Sequence, residues 1–242
     1  MKRRSELFAN PPTLWPLHPV LDGYRRAVEV NALGYIRNSL IIALFVTILT
    51  VALATVGSYA MTRIKSKWAK WSLMIFLVAQ MIPSVLLVTP IYVIFRNLNL
   101  LNTYVGVIIA DTTLTLPLAV IIMRTAMLQV PLEIEEAARI DGASFLQLLP
   151  RIVTPMVRPG LIVVATISFL NSFGEFVYAV SLINLQNMYP ATAGLYVFTT
   201  GLYGQEWNSA MAYSTMLVIP ILIIFVVFQK SIVKGITSGA LK

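Results

Sequence analysis

The chain reads as an all-α integral membrane protein, a polytopic helical bundle with five spans, on three observations. Hydrophobic residues make up 58% of the 242 residues, 12% are charged, and mean hydropathy is +0.81. Soluble domains run at about 45–50% apolar and about 25% charged. Five apolar runs reach the roughly 20 helical residues that about 30 Å of hydrocarbon requires: 39–61, 71–95, 104–123, 160–183 and 209–228. Basic residues, finally, fall in alternate segments between those runs.

The first connection carries Arg63, Lys65, Lys67 and Lys70; the second has Arg96 alone. Arg124, Arg139, Arg151 and Arg158 lie in the third, none lies in the fourth (184–208), and Lys230, Lys234 and Lys242 end the chain. The positive-inside rule places the rich segments in the cytoplasm. Residues 1–37 then fall outside, although they hold Lys2, Arg3, Arg4, Arg25, Arg26 and Arg37. An additional upstream helix that delivers this segment is the expectation, with a true five-span chain as the alternative. Pro83, Pro90, Pro117, Pro159 and Pro220 sit in or beside the runs, and neighbouring helices in a membrane bundle can satisfy the carbonyls they free.

Composition also excludes chemistry. Without cysteine there is no disulfide, thiolate nucleophile or Cys-ligated metal. The one histidine, His18, lies in "PPTLWPLHPV" and reads as a solvated loop residue; a lone imidazole does not make a zinc site. A net charge of +8 does not point to nucleic acid, because the charge is spent on the connections.

Residues 135–155, "EEAARIDGASFLQLLPRIVTP", form a polar interruption in the third connection. Pro131 suits an early helical position, with Glu133, Glu135 and Glu136 in the first turns, where the helix dipole favours acids. Gly142 suits the left-handed residue that ends a helix, and Ser144 can cap a second short helix ending before Pro150. The product is a helix–turn–helix with Ile134, Ala137 and Ala138 on an apolar face. Spacing leaves two readings open: a membrane-surface amphipathic element, or a docking element for a cytoplasmic partner.

Ionisable residues within spans are costly and are candidate functional groups. A helix over 160–183 would align Ser168, Asn171 or Ser172, Glu175 and Tyr178 as one polar stripe, facing either a water-filled cavity or a partner helix. Gln80 and Tyr92 are further candidates for the substrate path, and Asp111, near Thr112, Thr113 and Thr115, reads mainly as interface packing.

The run Glu136-Ala137-Ala138, with Gly142, Ile152 and Thr154-Pro155 at fixed intervals, resembles the EAA loop of ATP-binding-cassette importer permeases; Thr154 replaces the usual Leu. "QMIPSVLLVTPIYVIFRNLNLLNTYVGVIIA", "VRPGLIVVATISFLNSFGEFVYAVSLI" and the tail "FQKSIVKGITSGALK" are similar to the carbohydrate branch, the maltose-type second permease subunit. The resemblance implies an external segment at 1–37 and a permease domain at 38–242, with an ATPase-coupling loop at 125–158. Within that loop it points to Glu135, Glu136, Ala137, Ala138, Arg139, Asp141 and Gly142. It implies a homologous second permease subunit, two ATP-binding subunits carrying ATP and Mg, an extracytoplasmic solute-binding protein and a sugar substrate. It implies no cofactor in this chain. The loop 184–208 suits a dock for the binding protein, or a re-entrant packing segment.

Two other classes fit less well. A secondary active transporter would show internal repeats, which the sequence lacks. A P-loop ATPase needs a Gly-Lys step, and no Gly-Lys dipeptide occurs.

Overall fold

The computed structural model describes residues 13–64, 67–199 and 206–240, with Lys2, Glu6 and Pro11; among them are helices and no strand. The side chains at 65, 67, 70, 230, 234 and 242, and residues 200–205, lie outside the described set.

A short α1 (Asp22–Glu29) precedes the long α2 (Ala32–Arg63). Asn31, at φ 77°, makes the turn between them, a left-handed conformation that asparagine tolerates better than most residues. The expected span over 71–95 is instead two helices, α3 (Lys67–Ala79) and α4 (Ser84–Asn97), meeting at a 100° bend. The cause is Pro83, which has no N–H for the helix ladder and drives the preceding residue from the helical region. Pro90, Pro117 and Pro220 stay inside helices. Pro159 sits in a first turn, where a missing N–H costs nothing.

Next come α5 (Tyr104–Met127), then α6 (Leu132–Ile140) and α7 (Phe145–Leu148), the interrupting pair. The expected span over 160–183 also breaks: α8 (Arg158–Gly174) stops short, and α9 (Val177–Leu182) resumes after Glu175 and Phe176. The chain closes with α10 (Ala191–Thr199) and α11 (Trp207–Ala240). Among the described residues three helices are long and apolar enough to cross a membrane unbroken, namely α2, α5 and α11. Two bent pairs, Trp71–Ala79 with Ser84–Asn97 and Phe145–Met156 with Arg158–Gly174, can each supply one more crossing.

The bundle is built around α2, which packs most extensively on α5 and then on α8; α11 closes the outside against α8 and α1. Polarity runs inside out. Asn38, Ser39, Thr50 and Ser58 of α2 are buried, as are Thr112 and Thr115 of α5, and the Thr50 and Thr115 hydroxyls bond at 2.8 Å. Leu40, Leu44 and Ile48 on α2, and Val218, Leu222 and Val226 on α11, are exposed at four-residue intervals. Hydrocarbon gives no penalty for such stripes, so packing and interhelical hydrogen bonds decide which face turns inward.

Polar contacts tie the helix ends together at both poles. Arg63 lies against residues 127–135, which puts the ends of α2 and α5 together with α6 at one pole. At the other pole, Asn102 N–H donates to the Leu182 carbonyl at 2.8 Å, and the buried Asn38 amide donates to the Asn187 and Tyr189 carbonyls, both at 3.1 Å. Arg25 and Arg26, misplaced by the charge rule, pair with Glu29, and Arg26 also meets Glu206 at 3.6 Å. Exposed pairs of this kind contribute little energy.

Gly194 on α10 is packed closely at this second pole. A Cβ there would lie 2.7 Å from the Tyr213 hydroxyl and 2.8 Å from Tyr35 Cγ. Both rings are buried, and the Tyr213 hydroxyl is committed to the Ala191 carbonyl at 2.6 Å. Gly194→Ala is expected to destabilise the detergent-solubilised protein by about 1–3 kcal/mol, the usual cost of overpacking. A thermal melt followed by tryptophan fluorescence checks it, and an unchanged midpoint would contradict the packing.

Candidate functional site

Two features stand apart from the packed bundle: the α6–α7 pair at one pole and a cavity in its flank.

The joint between α6 and α7 forms as its residue types dictate. Pro131 is the N-cap of α6 rather than a residue within it, and Glu133 and Glu135 occupy the first turn. At the other end Gly142 adopts φ 86°. Its N–H donates to the Arg139 carbonyl at 3.0 Å, and the Ala143 N–H reaches the Ala138 carbonyl at 2.9 Å. This is a Schellman termination, which requires the left-handed residue that glycine provides. The Ser144 N–H then donates to the Gln147 side-chain oxygen at 3.1 Å, fixing the start of α7. The chain does not stop before Pro150. It continues through a π-helical turn, Leu149–Val153, because prolines at 150 and 155 remove regular ladder donors; the Thr154 hydroxyl reaches back to the Leu149 carbonyl at 2.7 Å.

The faces of α6 differ from the expected ones. Glu135 and Ala138 point inward and are buried, whereas Ile134, Ala137 and Ile140 are exposed, Ile140 at 86%. Leu146 on α7 is 81% exposed. Glu136, Arg139, Asp141 and Gly142 flank this outward apolar stripe and are themselves exposed. Glu135 is therefore an internal anchor and not a surface contact. Its Oε1 accepts from Arg63 Nε at 2.8 Å and forms an ion pair with Nη2 at 2.6 Å, and its Oε2 accepts from the Tyr59 hydroxyl at 2.8 Å. Sequence reasoning missed Arg63 and Tyr59. Arg63 counted only towards orientation, and nothing in its spacing linked it to residue 135.

The cavity, about 640 Å³, opens where three irregular elements meet. The α3–α4 bend contributes Gln80, Pro83 and Ser84, α5 contributes Thr113 beside its Pro117, and the end of α8 contributes Asn171 with Glu175. Irregular backbone at membrane depth is tolerated where it lines such a space. Gln80, Asn171 and Glu175 thus converge. Tyr92 and Tyr178 do not: both pack in the cluster around Phe95 and Ile183, with Tyr178 fully buried.

The polar stripe is also corrected. Because α8 ends at Gly174, Glu175 is not the next residue along a helix face. Its carboxylate accepts the N–H groups of Tyr178 and Ala179, each at 2.9 Å, and so caps the free donors of α9. Asp111 is buried one layer behind, accepting from the Ser172 hydroxyl at 2.7 Å. It serves packing between α5 and α8.

A broken-helix bundle with a flank cavity and a projecting capped helix pair defines a membrane transport subunit. The chain belongs to the family described as the inner membrane component of binding-protein-dependent transport systems, whose model matches residues 54–238 and so contains the helix pair and the cavity. Over 244 residues it is 34% identical to the trehalose/maltose transport system permease protein MalG of Thermococcus litoralis, covering 97% of this chain and 87% of that protein. Over 243 residues it is 30% identical to the sulfoquinovosyl glycerol transport system permease protein SmoH of Agrobacterium fabrum, covering 100% and 85%. Its fold is similar to a chain of a bacterial ABC transporter that imports the polysaccharide alginate, with TM-score 0.75 at 21% identity over 90% of this chain and 81% of the other. A chain of the MetNI methionine ABC transporter aligns with TM-score 0.62 at 18% identity over 88% and 97%.

No atom lies within 4 Å of a Cβ placed on Gly142, so its requirement is conformational and not steric. Gly142→Asn is therefore expected to retain the α6–α7 joint, and Gly142→Val to lose about 1 kcal/mol or more. Limited proteolysis of the two variants checks this; equal protection would contradict it.

Proposed function

We propose that the chain is the permease subunit of an ATP-binding-cassette importer for a sugar or related polyol in a bacterial or archaeal cytoplasmic membrane. In this reading α6 and α7 dock on a separate ATPase subunit, which binds ATP and Mg and performs the hydrolysis. A homologous second permease subunit completes the path, and an extracytoplasmic binding protein delivers the substrate. The observation that carries the reading is the outward stripe of Ile134, Ala137 and Ile140 beside Glu136, held on a capped helix pair at the pole where α2 and α5 end.

That surface has the chemistry of a helix offered to a groove. Small and aliphatic side chains permit close approach, and an exposed acid can pair with a partner's arginine. Closure of two ATPase subunits would displace the pair and rock the spans between inward-open and outward-open states. A sugar-type substrate is supported by the sugar permeases named above and by the cavity, where Gln80, Ser84, Thr113 and Asn171 offer amide and hydroxyl groups suited to sugar hydroxyls. Neither lysine nor arginine is among the residues that line it.

Native mass spectrometry of the gently purified protein tests the assembly, and co-purification of a second permease and two ATPase subunits is the expected result. Glu136→Lys is expected to insert normally yet lower ATPase stimulation in proteoliposomes by roughly tenfold, a typical size for a coupling term. A lone chain, or unchanged stimulation in the variant, would overturn the docking role.

A further inference from the structure

The buried anchor of α6 does more than fold a loop. Arg63 is in the last turn of α2, and its side chain is only 12% exposed. Besides Glu135, its Nη2 donates to the carbonyls of Val130 at 3.0 Å and Met127 at 3.3 Å. Met127 is the last residue of α5, where unpaired carbonyls and the negative end of the helix dipole favour a cation. One guanidinium therefore holds the end of α2, the end of α5 and the first turn of α6 at a single point. Tyr59, one helical turn before Arg63, takes the second oxygen of Glu135. Two bonds to one carboxylate from residues four apart on α2 fix the rotation of α6 as well as its position. Phe145 of α7 meets the Tyr59 ring edge-on at 5.6 Å, and Arg139 reaches the Tyr59 hydroxyl at 3.4 Å, so both short helices share the attachment.

We propose that Arg63 and Tyr59 are positioning residues that make α6, α2 and α5 one rigid body, so that displacement of the docking helix is delivered directly to the two most closely packed spans. A buried ion pair is weak support for stability, because desolvation offsets its attraction, but its geometry is specific. This inference rests on the docking role of α6 proposed above. It goes beyond that role by naming what carries the motion inward.

The absence of cysteine in this chain makes a spin-label test direct. Labels at Glu133→Cys on α6 and Val56→Cys on the outer face of α2 would report their separation by pulsed electron resonance. The sample is the purified complex, with reactive cysteines removed from its other subunits, measured without nucleotide and trapped with ATP and vanadate. With Arg63 and Glu135 intact, the separation is expected to be the same in both states. In Arg63→Met and in Glu135→Gln it is expected to shift by roughly 2–5 Å on trapping, the range of helix displacements in switching proteins. Retained ATPase subunits with hydrolysis within about twofold would show that the joint, not the assembly, has changed. Tyr59→Phe, which removes one hydroxyl, covers the case in which the other variants fail to assemble, and is expected to broaden the trapped distribution.

An invariant separation in the assembled variants, or a shift already present in the unmodified pair, would overturn the rigid-body inference and leave the docking role standing. Failure of ATPase subunits to accompany the unmodified chain would overturn both.

Discussion

Backbone polar groups within a bilayer must find partners inside the protein, since each unsatisfied one costs several kcal/mol. Much of this structure follows from how that demand is met where helices stop. Arg63 serves the carbonyls at the end of α5, and Glu175 serves the amides at the start of α9. Asn38 and Ser39 serve the short helical turn before α10 and the start of α10 itself, bonding the Asn187 and Tyr189 carbonyls and the Ala191 N–H. In each case the helper side chain comes from outside the break it repairs or reaches across it. The breaks are therefore also the places where separate elements are tied together.

That arrangement explains the division of the molecule into a tight interior and two irregular margins. Where helices run unbroken, as in α2 against α5, small and hydroxylated side chains allow close approach and the contact is dense. Where a proline or a capping acid interrupts them, the backbone diverges. At the α3–α4 bend and the α8–α9 break the divergence opens a cavity. At the α5–α6 junction it turns the chain into a helix pair that packs on the end of the bundle through Glu135, Ala138 and Leu148 and leaves its outer face exposed. The same physical event, loss of the regular ladder, produces both margins.

Much of this was legible in the sequence. Apolar runs and basic connections gave the helical membrane class, and glycine, serine and acid spacing gave the α6–α7 joint with its left-handed Gly142. What stayed hidden depended on contacts between distant segments. Hydropathy averages over a window, so it could not see that Pro83 breaks a run while Pro117 leaves its helix intact. Periodicity assumed that 160–183 was one helix and so put Tyr178 on a stripe with Glu175, whereas the chain turns between them. The inward placement of Glu135 was invisible because its partners, Tyr59 and Arg63, lie in another span.

The capping of α9 bears on what the cavity can hold. Transport proteins with interrupted helices often offer an exposed helix start to a negatively charged cargo, whose oxygens take the free amides. Here Glu175 already fills that seat with the protein's own carboxylate, and the Thr192 hydroxyl closes over its main-chain oxygen. An anionic guest would have to evict a built-in competitor, whereas an uncharged one meets only spare acceptors and amides. The start of α9 is thus a seat that the fold has filled in advance with its own carboxylate.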